Sequence, residues 1–152
     1  MIQGNNNITG VIPDEIALLS SLETLMLPLN ALEGPIPSVL GEMKNISIID
    51  FQSNALTSTI PNELFGLKSL IKFNVNSNKL QGIIGGNIGA LTELSEFDLS
   101  KNEFGGTIPD QLGNLQYLSK DGSIYSSTQF SAEITFFLMI ILIFVYLKAK
   151  WH

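Results

Sequence analysis

The sequence predicts an α/β solenoid: stacked turns with a short parallel β-sheet on one face and 3₁₀ or short helical turns on the other. Three observations predict it. Asparagines recur at Asn6, Asn30, Asn54, Asn78 and Asn102, a constant step of 24 residues. Ile-Pro pairs keep that step at Ile12-Pro13, Ile36-Pro37, Ile60-Pro61 and Ile108-Pro109, with Ile84-Gly85 as the imperfect member. Apolar residues hold the same phase: Leu22, Leu25 and Leu27 return as Ile46, Ile49 and Phe51, then Leu70, Phe73 and Val75, then Leu94, Phe97 and Leu99. Further columns run Ile8, Leu32, Leu56, Leu80, Phe104 and Leu19, Met43, Leu67, Leu91, Leu115. So many columns in one phase mark a true repeat, and stacked repeats bury a continuous core that a single one could not.

Each turn can be read in chain order. The run around Leu25-x-Leu27 alternates, so its leucines point one way and the intervening residues the other, as in a brief strand. The Asn three residues later sits where the chain leaves the strand and turns inward. There its amide can bond backbone groups of neighbouring turns that would otherwise be buried and unpaired. Next comes a column of Gly10, Gly34, Gly82 and Gly106, with Ser58 in the third place, which supplies a permissive backbone angle. Ile-Pro then fixes an extended segment. The residues after each proline, Ser38 to Met43 for example, have apolar side chains three apart, which suits one 3₁₀ or α turn on the far side.

The pattern L-x-x-L-x-L-x-x-N-x-L-x-G-x-I-P, read from Leu22 to Pro37, resembles the plant-type leucine-rich repeat of 24 residues. The resemblance spans residues 1–119, about five turns. It implies a right-handed, curved solenoid whose concave sheet binds a protein, peptide or small ligand, and whose convex side carries the 3₁₀ or short helical turns. Many members are ectodomains of receptor-like proteins and receptor kinases, or secreted inhibitors of wall-degrading enzymes. No kinase signature is present: the sequence has no His-Arg-Asp, no Asp-Phe-Gly and no glycine-rich phosphate loop. Gly82, Gly85, Gly86 and Gly89 do not have the spacing of a nucleotide loop and belong to a diverged repeat.

The ends depart from the family pattern, which usually has a signal peptide and cysteine-paired caps. In repeat phase Met1 occupies the place of Leu25, so the chain opens inside a strand, and the expectation is a truncated N-terminal turn or a misplaced start codon. After Leu118 the phase fails, because Asp121 and Ser123 stand where Phe97 and Leu99 should recur. Residues 120–133 read as a polar linker. Residues 134–147 form an uncharged apolar run, with a short basic tail at 148–152. As a helix, 14 residues reach about 21 Å; counting from Phe130 extends this to about 27 Å, against a hydrocarbon core of about 30 Å. A C-terminal hydrophobic helix that spans a membrane is expected, since a helix capping the solenoid should be polar on its outer face. Tyr146, Trp151, Lys148 and Lys150 stand where interfacial anchors belong, and the lysines place the C-terminus in the cytoplasm and the repeats outside the cell. Taken literally, a chain without a signal peptide would instead be tail-anchored, with its repeats facing the cytosol on an internal membrane.

Composition narrows the function. Cysteine is absent and the one histidine is His152, which removes thiolate metal sites, disulfides, cysteine nucleophiles and His-dependent triads. The chain has 8 lysines, no arginine and 14 acidic residues, a net charge of −6, so a nucleic-acid partner is not expected. No enzyme, cofactor, metal site or catalytic residue is expected. The reading is a non-catalytic recognition module, membrane-anchored and receptor-like, that perceives a protein or peptide ligand and signals through a partner such as a co-receptor. A cytosolic tail-anchored scaffold and a secreted inhibitor-type binding protein are the alternatives.

The ligand-facing residues follow from phase. One row of the concave sheet is Thr24, Ile48, Lys72, Glu96 and the next is Met26, Asp50, Asn74, Asp98, followed by Gln52, Asn76 and Ser100. Asp50 and Asp98 stand two strands apart, about 10 Å, too far for one metal ion. No aromatic cluster or paired charge singles out a hot spot among them. Two sequons, Asn7-Ile8-Thr9 and Asn45-Ile46-Ser47, offer N-glycosylation at Asn7 and Asn45. The recurring Asn6, Asn30, Asn54, Asn78 and Asn102 are expected to be structural rather than functional.

Overall fold

A computed structural model describes residues 6–118. The expected membrane helix at 134–147, the linker at 120–133, the basic tail and Met1 lie outside the described residues. Among the described residues no helix is long and apolar enough to cross a membrane.

Four strands, β2 (Thr24–Met26), β4 (Ile48–Asp50), β6 (Lys72–Asn74) and β8 (Glu96–Asp98), form one parallel sheet in the order β2-β4-β6-β8. Its register follows the repeat: Leu25 pairs Ile49, Ile49 pairs Phe73, and Phe73 pairs Phe97. These central residues alternate inward and are buried, while their strand neighbours face out, as strand geometry requires. Five 3₁₀ helices, Asp14–Leu18, Ser38–Glu42, Asn62–Gly66, Gly86–Ala90 and Asp110–Asn114, occupy the other side, one per turn. Each starts directly after Pro13, Pro37, Pro61, Gly85 or Pro109, and each of these has extended backbone. Gly85 takes the extended geometry of the prolines it replaces, with φ −79° and ψ 165°, so the turn survives the lost proline. Strands stack about 4.8 Å apart, whereas helical turns with their side chains need more room. A column of such turns therefore bends with the strand sheet on its inner side.

A second set of strands adds to the expected single sheet. β1 (Thr9–Val11), β3 (Ala31–Pro35) and β5 (Ala55–Thr57) form one parallel sheet, and β7 (Gln81–Ile83) pairs with β9 (Glu103–Gly105). They follow the ladder asparagine and form a flank of the solenoid. The ladder lapses between β5 and β7, where Ser58 holds the glycine position with φ 68°. Two backbone hydrogen bonds still cross the gap, from Lys79 N to Leu56 O and from Gln81 N to Ser58 O, each 2.8 Å. The glycines of this column do two things. Gly34, Gly82 and Gly106 have positive φ, and a Cβ on each would lie within 3 Å of Val11, Thr59 or Ile83 of the preceding turn.

Asparagine side chains stitch the turns together. Asn78 Oδ1 accepts from Leu56 N at 2.9 Å, while its Nδ2 donates to Phe51 O at 3.0 Å in the preceding turn and Val75 O at 2.9 Å in its own. Asn54 does the same with Leu32 N, Leu27 O and Phe51 O, and Asn102 with Leu80 N, Val75 O and Leu99 O. Asn30 accepts from Ile8 N and from Asn6 N. Among the described residues no buried side-chain nitrogen or oxygen lacks a hydrogen-bond partner. Between the faces lies one apolar core, with Phe51, Phe73 and Phe97 fully buried and the rings of Phe73 and Phe97 stacked at 6.0 Å. Burial of each such side chain stabilises the fold by roughly 1.5–3 kcal/mol. On the convex side Gly41 lets adjacent helices approach: a Cβ there would lie 2.6 Å from the Glu63 backbone. Gly89 does so against Gln111.

Two stability predictions follow. Asn78→Ala strands the buried Leu56 N–H, while the Phe51 and Val75 carbonyls keep the Asn54 and Asn102 amides, so chemical denaturation should show a loss of about 1–3 kcal/mol. Asn30→Ala, whose bonds are only partly buried, should cost clearly less in the same measurement. Ser58→Gly relieves a left-handed non-glycine backbone worth about 1–2 kcal/mol but adds freedom to the unfolded chain worth about 0.5–1 kcal/mol. A small rise in melting temperature is therefore expected, and a fall would contradict the strain.

Candidate functional site: the concave strand sheet

The outward residues of β2, β4, β6 and β8 present two rows in register. Thr24, Ile48, Lys72 and Glu96 stand opposite one another, as do Met26, Asp50, Asn74 and Asp98. The first row is partly exposed throughout. In the second, Met26 and Asp98 are partly exposed, whereas Asp50 and Asn74 are buried at 2% and 5%. The buried pair lies on the inner strands β4 and β6, flanked on both sides, and the exposed pair on the edge strands β2 and β8. Asp50, Asn74 and Asp98 each turn their Oδ1 back onto the N–H two residues ahead, at Gln52, Asn76 and Ser100. Each satisfies a backbone donor where the chain leaves its strand. The outer row is thus partly spent on holding the strand ends in place.

A charge array crosses the middle of the sheet. Lys72 Nζ lies 3.2 Å from Asp50 Oδ2 and 2.8 Å from Glu96 Oε1. Glu96 is its direct neighbour on β8 and Asp50 its diagonal neighbour on β4, the two cross-strand relations that allow side chains to meet. A paired charge is therefore present, contrary to the sequence expectation that none would stand out. Its signal in the sequence is the pair of steps from Lys72, 24 residues to the direct neighbour Glu96 and 22 to the diagonal neighbour Asp50. Burial works against the ammonium, but hydrogen bonds to Glu96 and Asp50 and the charges of both outweigh it, raising the Lys72 pKa above 10.5. One lysine among Asp50, Glu96 and Asp98 leaves the end near β8 acidic, whereas Thr24, Met26 and Ile48 make the opposite end largely apolar.

Below this array the loop ends carry a polar chain. Asn74 Nδ2 donates to Gln52 Oε1 at 3.2 Å, Asn76 Nδ2 donates to Ser100 Oγ, and Ser100 Oγ donates to Asp98 Oδ1 at 2.6 Å. Ser100 is buried and Gln52 and Asn76 partly so. The residues after this row, Leu29, Ser53, Ser77 and Lys101, all take positive φ near 55°. No residue type marks that column in the sequence, since none of the four is Gly or Asn. Among the described residues no group of three acidic or histidine side chains could hold a metal ion. The sequon residues lie away from the strand rows: Asn7 and Asn45 are exposed, and Asn45 Nδ2 donates to Ser20 O at 3.0 Å.

The Lys72 array carries a pH dependence. A lysine with a raised folded pKa contributes stability that is fully present below its unfolded value of about 10.5 and is lost as pH rises through the folded value. Denaturation midpoints of the wild type should therefore fall more steeply from about pH 9 to about pH 11.5 than those of Lys72→Met. Parallel slopes would show that the array contributes nothing.

The Leucine Rich Repeat family matches residues 93–115. Among curated proteins no match was found. Solved structures with the same fold include the plant peptide hormone receptor RGFR1 in complex with RGF2, at 32% identity and a TM-score of 0.76, covering 82% of this chain and 19% of that one. The Arabidopsis receptor kinase HAESA, in complex with the peptide hormone IDA and the co-receptor SERK1, is 35% identical with a TM-score of 0.73, covering 82% and 20%. The ectodomain of the receptor kinase SOBIR1 from Arabidopsis thaliana is 26% identical with a TM-score of 0.78, covering 86% and 69%. The chain spans about a fifth of the length of the first two. Repeat, paired strand register, 3₁₀ turns and these likenesses agree: the chain carries leucine-rich repeats of the plant-type, 24-residue form.

Proposed function

We propose that the chain is a non-catalytic, receptor-like recognition module that takes a peptide or protein ligand on its strand sheet. Signalling passes to a co-receptor, and residues 134–147 anchor the repeats at the cell surface. The observation that carries this reading is the sheet itself. Six strand side chains, Thr24, Met26, Ile48, Lys72, Glu96 and Asp98, are partly exposed in register, and the Asp50, Asn74 and Asp98 turns hold the strand ends. Such a surface is ordered before a ligand arrives, which lowers the entropic cost of binding. Likeness to RGFR1 and HAESA, which are bound to RGF2 and IDA, supports a peptide as the ligand class. A split surface, apolar at Thr24, Met26 and Ile48 and acidic at Glu96 and Asp98, suits recognition of a short segment by side-chain chemistry rather than catalysis. Four strands span about 14 Å, the length of about four extended residues.

Selection of a synthetic peptide library on the immobilised protein should enrich a sequence family. Its affinity should fall at least about tenfold, or about 1.4 kcal/mol, in Ile48→Asp and in Met26→Asp. Both side chains lie on the sheet surface, so melting temperatures should stay near that of the wild type. A library that enriches nothing, or binding unchanged in both variants, would remove the strand sheet as the ligand surface.

A further inference from the structure

We infer that Asn45 is an N-glycan acceptor and that its sugar covers one flank of the solenoid, leaving the strand sheet and the opposite flank open. The inference rests on the lumenal placement of the repeats in the function proposed above. Asn45-Ile46-Ser47 lies where each turn passes from its 3₁₀ helix to its strand, between Ser38–Glu42 and Ile48–Asp50. Asn45 is exposed, as are Ser20, Ser21, Lys44, Lys68 and Ser69 at the matching places of its own and adjacent turns. Leu19 and Ile71 are exposed in the same passage of the neighbouring turns, so a sugar there would also shield apolar surface. On the opposite flank, formed by β1, β3, β5, β7 and β9, Val11 and Ile83 stand out, 58% and 72% exposed.

The chemistry is compatible with the folded state. In the transfer, Asn45 Nδ2 bonds to the anomeric carbon of a lipid-pyrophosphate-linked oligosaccharide. The carbon–oxygen bond to the pyrophosphate breaks, the lipid pyrophosphate leaves, and Nδ2 releases one proton. One N–H remains on Nδ2. In the fold that nitrogen donates a single hydrogen bond, to Ser20 O at 3.0 Å, so the glycosylated side chain can keep its contact with the preceding turn while the sugar projects outward. Ser47, whose hydroxyl the sequon requires, donates to Glu23 O at 3.1 Å once folded. Both partners of the sequon thus end in inter-turn contacts that the modification leaves intact. Asn7 lies on the other flank, four residues before the exposed Val11.

The test expresses the whole chain behind an added cleavable secretory leader in a eukaryotic host and compares intact mass before and after N-glycosidase. The expected result is a fall in mass, with the aspartate left by the enzyme mapped to position 45. The fall should vanish in Asn45→Gln and Ser47→Ala and persist in Ser47→Thr. An unshifted mass, or an aspartate found only at position 7, overturns the assignment. The same chain in its native host, without the added leader, tests the lumenal placement separately. A glycan at Asn45 seen only behind the leader would uphold the acceptor and overturn the placement.

Discussion

Burying a backbone amide without a partner costs about 1–3 kcal/mol, and a solenoid must bury one set of them in every turn. In this chain the cost is met by a single side-chain type repeated at a single step. Asn54, Asn78 and Asn102 each tie three stretches of backbone: their own strand exit, the preceding strand exit, and the start of the flank strand of the preceding turn. Only a primary amide offers an acceptor and two donors on so short a stem. Aspartate would lack the donors, and glutamine would set the amide too far out. With the amides satisfied, leucine and phenylalanine can fill the interior without a competing polar demand.

The strand sheet inherits its order from that interior. Because Leu25, Ile49, Phe73 and Phe97 pair directly and are buried, the residues on either side of them have no choice of face. A slip of one residue would invert the sheet. The outer row then doubles as scaffold, with Asp50, Asn74 and Asp98 closing their own strand ends. Lys72 serves both purposes, since its two carboxylate partners join three adjacent strands across the surface offered to a ligand.

The phase of the repeat made the strand sheet, the five far-side turns and the inward columns legible, because each depends on side-chain type at a fixed step. The flank strands were harder to read. Runs such as Ala31–Pro35 are short and carry glycine and proline, and their pairing comes from stacking rather than from intrinsic preference. The left-handed column at Leu29, Ser53, Ser77 and Lys101 could not be read at all, for the turn geometry imposes it on residues that would not choose it. Of the candidate surface, the two strand rows were legible from alternation. The burial of Asp50 and the Lys72 array depended on diagonal neighbours that the phase alone does not rank.

The glycines of the convex helices bear on the shape of the opposite surface. Gly41 and Gly89 admit the next turn's backbone where a methyl group would collide, but the corresponding place in the turn between them is Phe65, which is bulky and buried. The far-side helices are therefore spaced unevenly, close, then wide, then close, while the strands keep one pitch. An arch whose outer stones differ in width bends by different amounts at successive joints. The surface spanning β4, β6 and β8 accordingly has its own local curvature, set by small and large residues on the far side of the core. Replacement of Phe65 would reshape the ligand face without touching any residue on it.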